Sequence, residues 1–321
     1  MGWGMGKARL WWSEEQVSCE GMEEVHLWVN GPLLLIGAGR GATLRVAGLG
    51  KRRVKAAGKV VEVRMWGPVQ VKVPAGCLVR AQRVNGPLTV KHLEGALHLE
   101  TVNGPVTGQD VAAVQVGQVR GPLMLRRVKG AVLGEGPRGP LTLEDVQGEV
   151  RLDSPVRGAL DLRQVAGDVD LTVRGNARWV GPLSPGQTVR LKVDGDLRLV
   201  LPEESDVRIV ARVQGDLHAP VDTVGATQGR WETTLGQGTA TLDLEVGGDL
   251  WLAWATEAEE TAEGEADLPD WSAAWPEEEA ASSRRPTAAE EERLLVLRML
   301  ANKRITAEEA ERLLEALEGE G

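Results

Sequence analysis

A nine-residue word repeats along the middle of this chain, and nothing else in the sequence restricts the fold as strongly. Aligned on its glycines, the series runs VNGPLTV from Val84, LEGALHL from Leu93, VNGPVTG from Val102, VAAVQVG from Val111 and VRGPLML from Val119. It continues as VKGAVLG from Val128, PRGPLTL from Pro137, VQGEVRL from Val146, VRGALDL from Val156 and VAGDVDL from Val165. Successive starts are 8 to 10 residues apart. Within each word aliphatic and polar residues alternate, as at Leu88 and Val90 or Leu97 and Leu99, which is the period of a strand with one buried face. Nine residues make one such strand plus a tight corner, and the corner glycine is expected to serve by adopting positive φ.

Every second word places proline after its glycine: Pro87, Pro105, Pro122 and Pro140 lie 18, 17 and 18 residues apart. Proline cannot donate to a sheet ladder, so a stacked column of prolines belongs at a strand's first residue or at a corner. The structural repeat is therefore two words. The predicted fold is mainly β, a single-stranded parallel β-solenoid (β-helix) of about 18 residues per coil with Val and Leu ladders inside. Two strands per coil is the first expectation, and a three-faced coil is the alternative.

Looser copies of the word flank the array: VNGPLLL from Val29, WGPVQV from Trp66, VDGDLRL from Val193, VQGDLHA from Val213 and VGGDLWL from Val246. The solenoid domain is accordingly drawn over residues 1–255 with an N-terminal cap, because the ends of a stacked array expose backbone and apolar surface. Trp3, Trp11, Trp12 and Trp28 are candidate cap residues at one end, and Trp231, Trp251 and Trp254 at the other. The chain has 40 glycines and neither Phe nor Tyr, so thin layers of small aliphatics, rather than aromatic rings, are expected to fill the core.

The remainder has a different character. Residues 257–279 carry ten acidic side chains and no basic one, and the stretch 256–286 is expected to be an acidic, disordered linker in which Trp271 and Trp275 stand apart. Beyond it, Thr287-Ala-Ala-Glu290 and Thr306-Ala-Glu-Glu309 are capping boxes that open two helices. The predicted hairpin spans 287–321 and offers Leu294, Leu297, Leu300, Leu313, Leu314 and Leu317 as an assembly face. So small a unit needs outside contacts for stability, which predicts a homo-oligomer or a protein partner docked through it.

Two groups of motifs resemble the bacterial "putative adhesin" β-solenoid domain of envelope-stress proteins of the Lia type. The segment Val71-Lys-Val-Pro-Ala-Gly-Cys-Leu-Val-Arg, followed by Val84-Asn-Gly-Pro-Leu and Val102-Asn-Gly-Pro-Val, is similar to that family's ladder. Leu199-Val-Leu-Pro, Val213-Gln-Gly-Asp-Leu, Thr234-Leu-Gly-Gln-Gly and Gly248-Asp-Leu-Trp repeat the likeness near the end. The words EERLLVLRML and ITAEEAERLLEAL resemble the short helical module that such proteins carry. The resemblance implies scaffolding or envelope-stress sensing and supplies no catalytic residues.

No catalytic, cofactor-binding or metal-ligating residue is predicted. His26, His92, His98 and His218 are read as solvated, His98 because it sits between two inward leucines. Asp153, Asp161, Asp168 and Asp170 could line one face of a carbohydrate-active β-helix, but outward carboxylates also serve solubility, and that reading is preferred. Cys19 and Cys77 lack both metal-ligand spacing and a disulfide framework and are expected to be buried thiols. The best basic patch is Lys51, Arg52, Arg53, Lys55 and Lys59, near Arg40, Arg45 and Arg64. It is read first as a charged, aggregation-blocking edge and second as a contact for an anionic membrane surface. Nucleic acid is not expected, because residues 1–256 hold 30 basic and 28 acidic groups and the patch shows no interleaved aromatics along the sequence. With no leader-like apolar stretch at the start, the cytoplasm is the expected location. The leading reading is a non-enzymatic scaffold, followed by a peripheral envelope-stress sensor and then by a carbohydrate-active enzyme.

Overall fold

The structure is a computed structural model that describes residues 13–18, 22–39, 43–220 and 229–255. The chain divides into two compact units, 1–266 and 267–321, and all described residues belong to the first. The acidic linker, the hairpin with its six assembly-face leucines, Trp3, Trp11, Trp12, Trp271, Trp275, Arg40 and Cys19 lie outside them.

The described part is mainly β, without a helix. Its strands form two ladders. In one, Leu88 pairs in parallel with Val106, Val106 with Leu123, Leu123 with Leu141, Leu141 with Leu160, Leu160 with Ala177 and Ala177 with Leu197. In the other, Leu97 pairs with Val114, Val114 with Val132, Val132 with Val150, Val150 with Val169 and Val169 with Val189. Each step is 17 to 20 residues long, so the two-word repeat is the distance between stacked layers. Below, the ladder that contains Leu97 is the first ladder and the one that contains Leu88 the second.

The core lies between the ladders, and the inward positions of the regular stretch are aliphatic or, at Gly108 and Gly134, glycine, with one aromatic exception. Leu97, Val114, Val132, Val150 and Val169 are sealed from solvent, as are Leu88, Val106, Leu123, Leu141 and Leu160 opposite them. Burying each such side chain contributes about 1.5–3 kcal/mol, and stacking like on like leaves few gaps. The exception is Trp179, 1% exposed, in register between Leu162 and Leu199. Its neighbour on the inward face is Ala177, between Leu160 and Leu197, so the smaller side chain makes room for the indole. The expectation that aliphatics alone fill this core is therefore corrected at Trp179 and again at Trp231.

The prolines stand where their missing N–H predicts. Pro87, Pro105, Pro122 and Pro140 each precede a strand, and their carbonyls accept from the backbone N–H of Leu33, Leu88, Val106 and Leu123 at 2.9 Å. The glycines beside them do not serve as expected. Gly86, Gly104, Gly121 and Gly139 do not adopt positive φ; a Cβ on any of them would come within 2.4–2.7 Å of the backbone in the adjacent layer. Close approach, not backbone freedom, selects glycine at these corners. Positive φ of 51–55° falls instead on His92, Asp110, Arg127, Asp145 and Gln164, one per layer at the opposite corner.

The parallel winding is interrupted at both ends, where the repeated word is looser. Glu24–Asn30 lies between Val60–Trp66 and Leu78–Val84, and Leu33–Gly37 lies between Val69–Val73 and Leu88–Val102, so an early segment is inserted inside a later one. Beyond it, Lys51–Ala57, Thr43–Gly48 and Ser13–Ser18 add antiparallel strands. At the far end Ala240–Val246 comes back between Thr188–Val193 and Val207–Val213, and Arg230–Leu235 closes the first ladder antiparallel. There Trp231 points inward, 2% exposed, as a cap residue should, whereas Trp28 and Trp251 lie on outward faces and cap nothing.

Candidate functional site

Alternation fixes what the ladders show to solvent. Lys51–Ala57 is the outermost strand of the first ladder among the described residues, and its register divides the predicted basic patch. Lys51, Arg53 and Lys55 point outward and are exposed. Arg52 lies opposite buried Met65 and so points inward, where its Nε donates to Glu15 Oε2 at 3.1 Å. Glu15 is itself on the inward side of Ser13–Ser18, opposite buried Val46. An ion pair thus crosses the last layer, beside Val17 and Val54, where the aliphatic core ends. Lys59 sits on the turn after the strand and pairs with Glu23. The five residues therefore do not act as one cluster: three are on a face, one seals the end and one is engaged at a turn.

That face carries aromatics that the linear sequence hides. Arg53, Arg64, Trp28 and Arg83 are consecutive in register across four strands. Lys51, Trp66 and Asn30 form the adjacent row, and Lys55, Glu62, His26 and Arg80 the row on the other side. The guanidinium of Arg64 lies over the Trp28 ring, 4.6 Å from its centroid, and Trp66 is 53% exposed. Lys51, Arg53, Lys55 and Arg83 make no ion pair among the described residues. The carboxylates present are already engaged: Glu62 with Arg64 at 3.5 Å, and Glu24 with His26 at 2.9 Å and Arg80 at 3.2 Å. The His26 hydrogen bond holds Glu24 below the usual carboxylate range against the opposing effect of burial, and Arg80 adds to it. The reading of the patch as free of interleaved aromatics is corrected, because Trp28 and Trp66 arrive from strands distant in sequence.

The second ladder has its own outward row near the far end: Asp161, Arg178, Arg198, Trp251 and His218 in register. Asp161, Arg178, Arg198 and Trp251 border an open groove of about 610 Å³, and His218 stacks on Trp251 with centroids 5.3 Å apart. The four aspartates weighed as a catalytic set do not converge. Asp161 is on the second ladder and pairs with Arg163 at 2.9 Å, whereas Asp170 is on the first, in register with Arg151 and Arg190. Asp168 accepts from the Thr188 N–H at 2.7 Å, and Asp153 lies 3.9 Å from Arg151. Of the remaining histidines, His92 pairs with Asp110 at 2.8 Å, and His98 lies in the row of Arg80. Burial, then the Arg80 charge, lowers the His98 pKa. Cys77 is a buried thiol, 5% exposed. Among the described residues no three His, Cys, Asp or Glu side chains are grouped closely enough to hold a metal, and no helix is long and apolar enough to cross a membrane.

The geometry defines a β-ladder protein with two flat, charged faces. Residues 291–321 match the family model of the SHOCT-like domain, within the segment predicted as a hairpin. Solved structures similar to the chain include a "putative cell adhesion protein" from Clostridium sporogenes ATCC 15579, with 9% identity, TM-score 0.19, and 76% of this chain and 100% of that chain covered. A "putative adhesin" from Parabacteroides merdae ATCC 43184 has 10% identity, TM-score 0.32, and coverage of 76% and 96%. A third, the "putative adhesin" from Parabacteroides distasonis ATCC 8503, has 9% identity, TM-score 0.30, and coverage of 77% and 98%. Likeness at this level carries no argument about what this chain binds. No curated protein matches it in sequence.

Proposed function

We propose that this chain is a non-enzymatic β-solenoid scaffold whose flat faces bind a partner and whose C-terminal SHOCT-like segment mediates assembly. The observation that carries the reading is the separation of roles within each strand. Inward positions are spent on a continuous aliphatic core, while outward positions repeat in straight rows that offer extended surface instead of an enclosed, polar-lined pocket. SHOCT-like domains often take part in protein interactions, and the match over 291–321 supports an assembly role for Leu294, Leu297, Leu300, Leu313, Leu314 and Leu317.

Light scattering on the full chain and on the Leu297→Asp/Leu313→Asp variant tests this. The full chain should be oligomeric and the variant smaller, with the same β-rich circular dichroism. A monomeric full chain, or a variant of unchanged mass, defeats the assembly role. A second reading, a peripheral sensor of anionic envelope surfaces, draws on Lys51, Arg53, Lys55 and Arg83, which make no ion pair among the described residues, and the vesicle measurement described below addresses it.

A further inference from the structure

We infer that the outward face of the first ladder at its N-terminal end, formed by Lys51, Arg53, Lys55, Arg83, Trp28 and Trp66, binds single-stranded nucleic acid. The inference rests on the reading of the ladder faces as binding surfaces and adds the chemistry of the ligand. Like charges placed directly opposite one another across strands repel, yet Arg53 and Arg64 are direct partners here and Lys51 and Lys55 flank them. With no ion pair to Lys51, Arg53, Lys55 or Arg83, the face presents positive charge that is not neutralised among the described residues. The complementary partner is therefore an anion that extends over several strands.

The indoles narrow the class. Outward residues recur at about 6.8 Å along a strand and about 4.8 Å between strands, so the rows form a flat grid with cations in every row and an indole in two adjacent ones. Trp66 offers its exposed surface beside Lys51, and Trp28 already carries a stacked guanidinium from Arg64, an arrangement in which a planar cation and a planar ring share one site. A single strand presents both complements at once: phosphates for the cation row and unpaired bases for the rings. A duplex keeps its bases stacked inside and offers only the phosphates. A lipid surface calls for several apolar side chains that project past the charges, but on this face, among the described residues, Trp66 is the one strongly exposed indole and Trp28 lies beneath Arg64. Sequence-tolerant binding is expected, because stacking reads no base edge.

The test is fluorescence anisotropy of a labelled, mixed-sequence single-stranded DNA titrated with the full chain over a range of salt concentrations. Parallel titrations use the matching duplex, heparin and vesicles of anionic phospholipid. The single strand should bind more tightly than the duplex, quench tryptophan fluorescence and weaken with salt at a slope of about −0.7 per phosphate contact. Trp66→Ala, at an exposed position, should weaken binding about tenfold with the salt slope unchanged. Arg53→Ala should reduce the slope by about 0.7. Circular dichroism and thermal melting of each variant show that the fold is retained.

Three outcomes overturn the inference. One is the absence of single-strand binding at low salt; another is heparin bound as well as DNA with Trp66→Ala without effect, which marks a patch that is electrostatic only; the third is preferential binding to the vesicles. None of these touches the assembly reading, which stands or falls on the scattering experiment.

Discussion

At the scale of single residues, two corners of each layer impose opposite demands. At the proline corner a Cβ on Gly121 would lie 2.6 Å from the carbonyl carbon of Gly104 and 2.8 Å from the Pro105 nitrogen, both backbone atoms that cannot yield without parting the layers. Gly121→Ala should therefore cost about 3 kcal/mol in denaturant unfolding, at the upper end of overpacking penalties. At the other corner His92, Asp110, Arg127, Asp145 and Gln164 occupy left-handed backbone that L-residues adopt at a cost. Part of that cost is offset where His92, Asp110 and Arg127 join across layers, with Arg127 holding the Asp110 carboxyl below its usual range against burial. Gln164, exposed at φ 51°, has no such pairing among the described residues, so Gln164→Asn should stabilise by about 0.5 kcal/mol and Gln164→Val should destabilise. Equal stability of the two variants and the parent protein would remove the argument from backbone conformation.

At the scale of the strand, the pair Ala177 and Trp179 shows how a stacked core absorbs a large ring. Both lie inward on one strand, and the columns on either side of them are Leu160 with Leu197 and Leu162 with Leu199. Trp179→Leu should leave a void and cost about 2 kcal/mol, and Ala177→Leu should clash with the indole. The double variant restores two unbroken leucine columns at nearly the original volume, so it should recover most of both losses, a favourable coupling of about 1–3 kcal/mol in a double-mutant cycle. Additive losses would mean that the two side chains do not share space. The indole N–H donates to the Gly181 carbonyl at 3.3 Å, so even here the polar atom is satisfied and the layer stays dry.

At the scale of the whole molecule, the end of the ladders, open among the described residues, is the liability, since another copy could add a layer to it. The pair formed by inward Arg52 and inward Glu15 places charge where continued stacking would need aliphatics. Glu15→Val/Arg52→Val should therefore keep the fold and promote end-to-end association, seen as a concentration-dependent rise in mass by light scattering, whereas Glu14→Val on the outward side should not. Unchanged mass in the double variant would show that the end is protected by other means.

How much of this was legible in the sequence follows from what is local. The alternation of Leu88 and Val90 or Leu97 and Leu99, the recurrence of Pro87, Pro105, Pro122 and Pro140 and the run of glycines fixed strand, corner and the spacing between layers, because side-chain period and a missing N–H are properties of short segments. A trace of the left-handed column was present too: the fifth residue after each proline is His92, Asp110, Arg127 or Asp145, polar and never β-branched. What tertiary structure alone decided was which distant strands became neighbours. Glu24–Asn30 inserts between Val60–Trp66 and Leu78–Val84 through backbone hydrogen bonds that carry no sequence signature, and that insertion sets Trp28 between Arg64 and Arg83. The cation and aromatic face exists only through that pairing, so reading along the chain could find its charges but not its rings.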